Sequence, residues 1–264
     1  MKIGFIGCGN MASAMIGGIL KKKLVAPSDI LASGLNETRR NAKAKEFGIQ
    51  VTGDNQAVTE FADILFLAVK PQQYEAVITE IKNEVRADQI IVTIAPGKTI
   101  AWLERLFGKE VKLVRCMPNT PALVGEGMTA TTPNEYVTEP ELAQVLELLE
   151  SFGKAEVVSE HLMDAVVSVS GSSPAYIYML IEAMADGAVV DGMPRAQAYE
   201  FAAQAVLGSA KMVLETGKHP GELKDMVCSP GGTTIEAVRV LEKEGFRSSV
   251  MEAMKACTAK AKGI

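Results

Sequence analysis

The chain has 264 residues, of which 48% are hydrophobic and 22% charged, enough for one or two soluble domains with a full core. Its net charge of −5, with acidic and basic residues interspersed, excludes the basic footprint of a nucleic-acid-binding protein. The longest apolar stretch, FADILFLAV, is too short to span a bilayer, so no membrane partner is expected. The opening MKIGFIGCGN has no long apolar core of the kind a secretory signal carries. Cys8, Cys116, Cys228 and Cys257 lack metal-ligand spacing; no metal is expected, and they fit the reduced thiols of a cytoplasmic protein.

The first half alternates in type. A short β-rich run, Lys2–Ile6, precedes a helical pattern over Met11–Lys22. Strand Ile30–Ala32, helix Glu37–Phe47 and strand Gln50–Thr52 follow. Ile64–Val69 is an almost continuous apolar run, as in a strand buried on both faces. Helix Gln72–Val85, strand Ile90–Ile94, helix Ile100–Phe107 and strand Val111–Cys116 come next. Two more strands, Met128–Thr132 and Ala155–Val158, flank helix Glu139–Phe152. This alternation predicts a parallel sheet with right-handed crossovers. After Glu160 the pattern is wholly helical: Met163–Val169, Pro174–Asp191, Arg195–Thr216, Gly221–Val227, Thr233–Lys243 and Phe246–Lys262. The expected domains are therefore residues 1–159, α/β, and 160–264, all-α. Ala175–Val190 is apolar nearly all round, which predicts burial on most sides, completed against a second subunit.

IGCGNMA gives Gly7-x-Gly9-x-x-Ala12 between the first strand and the first helix. There the first glycine turns the chain, the second lets a pyrophosphate approach the backbone, and the third position need only be small. This context predicts a Rossmann dinucleotide-binding domain. An NAD site wants an acid at the end of the second strand to hold the ribose 2′-hydroxyl. Here that end is ASGLNETRR, with neutral Ser33 and Asn36 followed by Arg39 and Arg40. The missing acid favours NADPH, with NADH possible; otherwise the two arginines form a solvated helix face. FLAVKPQQ places Ala68, Val69, Lys70 and Pro71 at the fourth strand's C-terminal end, and TIAPGKT places Ala95–Gly97 beyond the fifth, where doubly wound sheets bind ligands.

A second glycine loop, VCSPGGTTIEA, runs into the helix at Thr233. Ser229 could cap that helix, and Gly231 and Gly232 permit close backbone approach. On residue types alone it is equally a capped connection or an anion cradle. His219 precedes Pro220 and is expected to shape a turn.

Taken together, IGCGNM, FLAVKP, RCMPNTPA, SGSSPAY, HPGELKDMVCSPGGTTIEAVRVLE and GFRS resemble the pyrroline-5-carboxylate reductases, over nearly the whole chain. The resemblance implies a Rossmann domain followed by an all-α dimerisation domain. It also implies an active site shared between one subunit's cofactor and its partner's signature loop. Implied cofactor contacts are Gly7, Cys8, Gly9, Asn10, Met11, Ser33, Leu35, Asn55, Val69, Lys70 and Ala95. Implied substrate contacts are Glu160 and Gly231, Gly232, Thr233 and Thr234, with Ser229 beside them. Leu35 and Met226 depart from residues frequent in relatives. The implied substrate carboxylate gives the second loop its anion, and Thr234 becomes the hydroxyl that hydrogen-bonds the ring nitrogen. Glu160 either helps to bind substrate or caps the helix near Met163. The competing readings are a reductase of the 3-hydroxyacid dehydrogenase type and a non-catalytic dinucleotide sensor; the intact signature loop argues against both.

Overall fold

The computed structural model describes residues 1–262. They divide into two compact units: Met1–Ser172 joined by the chain from Thr258, and Ser173–Cys257.

In the first unit eight strands form one sheet: β1 (Ile3–Ile6), β2 (Ile30–Ser33), β3 (Gln50–Thr52), β4 (Ile64–Leu67), β5 (Ile90–Thr93), β6 (Lys112–Met117), β7 (Gly127–Pro133) and β8 (Gly153–Val157). Their order is β3-β2-β1-β4-β5-β6-β7-β8. The first six are parallel; β7 runs antiparallel to β6, and β8 follows β7. The order reverses direction between β1 and β4, the crevice where such sheets bind ligands. Helices α1 (Asn10–Lys21), α2 (Glu37–Phe47), α3 (Asn55–Phe61), α4 (Tyr74–Ile81), α5 (Ile100–Phe107) and α6 (Glu139–Leu149) join the strands.

Alternation along the strands feeds two cores. Ile3, Phe5, Ile64 and Phe66 pack with Met15, Ile16 and Ile19 of α1. Ile6, Leu65 and Leu67 pack with Ile78 and Ile81 of α4 and Leu103 of α5. Helix α3 was not expected, being only seven residues long; Asp54 starts it, its carboxylate accepting from the Gln56 and Ala57 N–H groups. Helix α4 is shorter than its pattern at both ends: Pro71–Gln73 forms a 3-10 turn before it, and it ends at Ile81. The expected Met163–Val169 helix is an α-turn, α7 (Met163–Val166), running into a π-helical turn at Val167–Gly171. Met163 packs with Met117 and Ala130, which holds this stretch with the sheet.

The second unit is helical: α8 (Ser173–Val190), α9 (Arg195–Thr216), α10 (Pro220–Val227), α11 (Thr233–Lys243) and most of α12 (Phe246–Lys262). Its only buried residues are Ala185, Ala198 and Ala202. The expected burial of Ala175–Val190 is therefore not met within one chain. Met179 is 68% exposed and Val190 86%. This unit has helices but no core of its own. No described helix is long and apolar enough to cross a membrane.

Candidate functional site

A cleft opens where the sheet order reverses, bordered by the glycine turn, the end of β2 and the end of β4. Gly7 has φ +101°, and a Cβ there would come within 2.7 Å of the Ala68 backbone. Glycine is thus required for β1 and β4 to end side by side. Gly9 caps α1 with extended backbone and no side-chain cap, and a Cβ there would meet nothing within 4 Å. The first turn of α1 carries no acid, so its N–H groups face the opening with their partial positive charge uncompensated. Open space over Gly9 together with unclaimed N–H donors is what a pyrophosphate requires, and the residues present fit such a cofactor.

Cys8, Ser33, Leu35, Asn36, Arg39 and Arg40 line the same cleft. So do Asn55, Ala68, Val69 and Lys70. The two arginines differ. Arg40 donates Nη1 to the Gly34 carbonyl at 2.6 Å and to the Leu35 carbonyl at 3.4 Å, which ties down the loop after β2. The Arg39 guanidinium makes no hydrogen bond or ion pair among the described residues; its backbone N–H donates to the Asn36 side-chain Oδ1, which caps α2. No carboxylate lies among the cleft-lining residues. Burial pushes the Cys8 thiol up, so it stays protonated at neutral pH.

Four expected contacts lie outside the cleft lining. Asn10 is exposed at the start of α1, and Met11 packs partly into the core. Pro71 opens the 3-10 turn. Ala95 is 3% exposed and packs in the core, which leaves only its backbone for a ligand. The composition and spacing of the sequence did not point to Tyr74. Its hydroxyl donates to the Leu67 carbonyl at 2.5 Å and accepts from the Ile94 N–H at 3.2 Å. This buried link clasps the ends of β4 and β5 and so fixes the loops that begin at Ala68 and Ala95.

Glu160 does not cap the helix near Met163. Its Oε1 accepts from the Ile100 N–H and from Arg115 Nη1, each at 2.8 Å. It therefore satisfies the first N–H of α5, whose cap is Thr99, and Arg115, 3% exposed, holds it there. The loop from Ala95 to Thr99 is thereby anchored at its far end.

In the second unit, Gly231 takes φ +68°, and the Gly232 N–H donates to the Ser229 carbonyl at 3.0 Å. Gly232, not Ser229, is the cap of α11, and no side chain caps it. The expected capping by the Ser229 hydroxyl is absent because that hydroxyl lies against the Gly232 Cα, where a Cβ would come within 2.3 Å. The free N–H groups of the first turn belong to Thr233 and Thr234 and are available to an anion. Glu236, the acid of that turn, bends onto Arg239 with both oxygens 3.0 Å from Nε. That hydrogen bond holds its carboxyl below the usual range. His219 shapes its turn as expected, Nδ1 accepting from the Gly221 N–H at 3.0 Å.

A doubly wound sheet with a glycine turn over an acid-free dinucleotide cleft defines an oxidoreductase of the nicotinamide-dinucleotide class. Residues 160–264 match the family model for pyrroline-5-carboxylate reductase dimerisation. Residues 2–97 match that for NADP oxidoreductases, coenzyme F420-dependent. The chain is 55% identical over 263 residues to pyrroline-5-carboxylate reductase of Escherichia coli, covering 100% of this chain and 98% of that one. The solved Coxiella burnetii pyrroline-5-carboxylate reductase superposes with a TM-score of 0.92 at 33% identity, over 99% of this chain and 97% of that one. The Plasmodium falciparum pyrroline carboxylate reductase with NADP bound gives 0.91 at 32%, over 100% and 97%. The chain belongs to the pyrroline-5-carboxylate reductase family.

The Arg39/Arg40 asymmetry yields an expected result. Arg39→Ala raises the KM for NADPH about tenfold more than that for NADH, the scale of one hydrogen bond to a charged group. Arg40→Ala, which releases the loop after β2, weakens both cofactors alike. Steady-state kinetics with each cofactor check this, and equal shifts in Arg39→Ala would mean that it does not read the 2′-phosphate.

Proposed function

We propose that this protein reduces the C=N bond of 1-pyrroline-5-carboxylate to give L-proline, the last step of proline biosynthesis, with NADPH as the preferred cofactor and NADH as the alternative. The observation that carries the reading is the pairing, in one chain, of a dinucleotide cleft with a second, uncapped helix N-terminus behind a glycine turn. The family's shared name supports the substrate. The free guanidinium of Arg39, the absence of an acid in the cleft and the NADP found in the Plasmodium relative support the cofactor.

The chemistry suits the residues. A nicotinamide cofactor, when bound, would supply the hydride for the ring carbon, whose C–H bond would form as the C=N π pair moves to nitrogen. An iminium nitrogen already carries its proton, and hydride transfer neutralises its charge. The protein needs no strong acid at the reacting atom, only orientation. The N–H groups at Thr233 and Thr234 hold the carboxylate, with the dipole of α11 adding about 0.3–2 kcal/mol. The Thr234 hydroxyl accepts from the N–H of the iminium and, once hydride transfer has put a lone pair on nitrogen, can donate to it or relay to water; it is too weak an acid to be a proton source. Glu160 serves substrate through the end of the Ala95–Thr99 loop that it anchors.

The functional boundary falls near Ser159, with 160–264 the dimerisation and substrate domain. The protein acts as a homodimer, or an assembly of dimers: a helical unit whose buried residues are three alanines needs a second copy to complete its core. The free thiols of Cys8, Cys116 and Cys228 agree with a cytoplasmic location.

The test is direct. Purified protein given 1-pyrroline-5-carboxylate oxidises NADPH and forms proline; folded protein that makes none with either cofactor refutes the reading. A short 3-oxo acid, run as control, is not reduced.

A further inference from the structure

At the edge of the cleft a chain of three side chains ends at Ser33. Asn55 stands between two partners. Its Nδ2 donates to Glu80 Oε2 at 2.8 Å, and its Oδ1 accepts from Ser33 Oγ at 2.6 Å. A carboxylate only accepts, so Glu80 determines which end of the Asn55 amide faces it. The other end is then a carbonyl oxygen, which also only accepts. Ser33 must give it its single proton. The Ser33 oxygen is left with lone pairs and no donor among the described residues.

That polarity discriminates between riboses. A 2′-hydroxyl can donate to the Ser33 lone pairs. A 2′-phosphate, with a charge of about −1.5 to −2 near pH 7, offers oxygens that mainly accept and meets those lone pairs unfavourably. To donate to a phosphate, Ser33 must break its bond to Asn55, or the amide must flip and turn its carbonyl onto the Glu80 carboxylate. Arg39 draws the phosphate in; this relay opposes it.

We propose that Glu80 is a specificity-determining positioning residue. Through Asn55 it holds Ser33 as an acceptor and so keeps NADH in competition with NADPH. The inference rests on the dinucleotide reading above. Glu80 is exposed on α4 and supports no core contact, so its substitution leaves the fold intact.

The experiment measures cofactor binding without substrate, by titrating NADPH and NADH fluorescence. In Glu80→Gln the amide of Asn55 is free to flip and Ser33 can donate. The ratio of Kd for NADH to Kd for NADPH is expected to rise about tenfold, the scale of one charge-assisted hydrogen bond. A ratio that stays put, or falls, overturns the proposal. Loss of the Glu80 charge alone would also favour a phosphate, and a double-mutant cycle separates the two causes. In a Ser33→Ala background the relay has no end, and Glu80→Gln is expected to change the ratio no further. An equal rise in that background overturns the relay in favour of the field. Failure of the wild-type chain to bind either cofactor defeats the dinucleotide reading and the proposal with it; binding with an unmoved ratio defeats the relay alone.

Discussion

Thr234→Val is expected to lower kcat/KM for pyrroline-5-carboxylate about tenfold to a hundredfold, with the Kd for cofactor unchanged. Thr234 is the second residue of α11, half-buried behind Gly232, and its side chain makes no hydrogen bond among the described residues. Valine keeps its shape and its β-branched rotamer preference and deletes only the hydroxyl. What is lost is one hydrogen bond to a charged substrate, worth about 1.5–3 kcal/mol. The backbone N–H of residue 234 survives, so carboxylate binding persists. Thr234→Ser, which restores a hydroxyl, should recover most of the loss. Steady-state kinetics in varied substrate and a cofactor titration check both halves. Wild-type kinetics in Thr234→Val would remove this hydroxyl from the site.

The two glycine loops were legible for different reasons. Gly7-x-Gly9-x-x-Ala12 carries its own context, a strand before and a helix after; Gly7 answers a steric demand that the structure displays, and Gly9 leaves open space over the turn. The signature loop carried no such context. Its residues suit a plain connection as well as an anion site, and the resemblance, not the spacing, gave it an anion.

The elements that escaped are short or depend on distant partners. The seven residues of α3 hold too little periodicity, although Asp54 before them is a legible start. Tyr74 reads as an ordinary residue of the helix expected over Gln72–Val85; its role arises only when two strand ends meet beneath it. The capping role weighed for Glu160 fails for the same reason. That role is for a helix three residues away, whereas the partners of Glu160 lie 60 and 45 residues distant, at Ile100 and Arg115. A local capping rule cannot see a carboxylate delivered from elsewhere in the fold. Helix α8 shows the converse: its composition demanded burial that one chain does not provide.

That unmet burial leads to the other large effect, the rescue of two dead proteins by each other. Gly9→Asp places a carboxylate above the first turn of α1, where it competes with a pyrophosphate and where the added Cβ meets no protein atom within 4 Å. The variant should fold and fail to bind cofactor. Gly232→Trp puts a bulky side chain at the cap of α11, where even a Cβ meets the Ser229 hydroxyl, and should abolish substrate binding. Each homodimer is expected to be inactive. Suppose that each active site pairs one subunit's cofactor cleft with its partner's signature loop. A mixed dimer then has one site with both lesions and one with neither. Random assembly from equal amounts makes about half of the dimers mixed, so activity returns to roughly a quarter of wild type per chain. If instead each site lies within a single chain, every site in the mixture keeps one lesion and no activity returns. Co-expression avoids a dependence on subunit exchange, and circular dichroism with thermal unfolding establishes that both variants fold. Sedimentation supplies an independent check without any variant: the helical unit, with three alanines for a core, is expected to hold the protein as a dimer at every concentration at which it is active. A stable, active monomer would defeat the shared site and the dimer together.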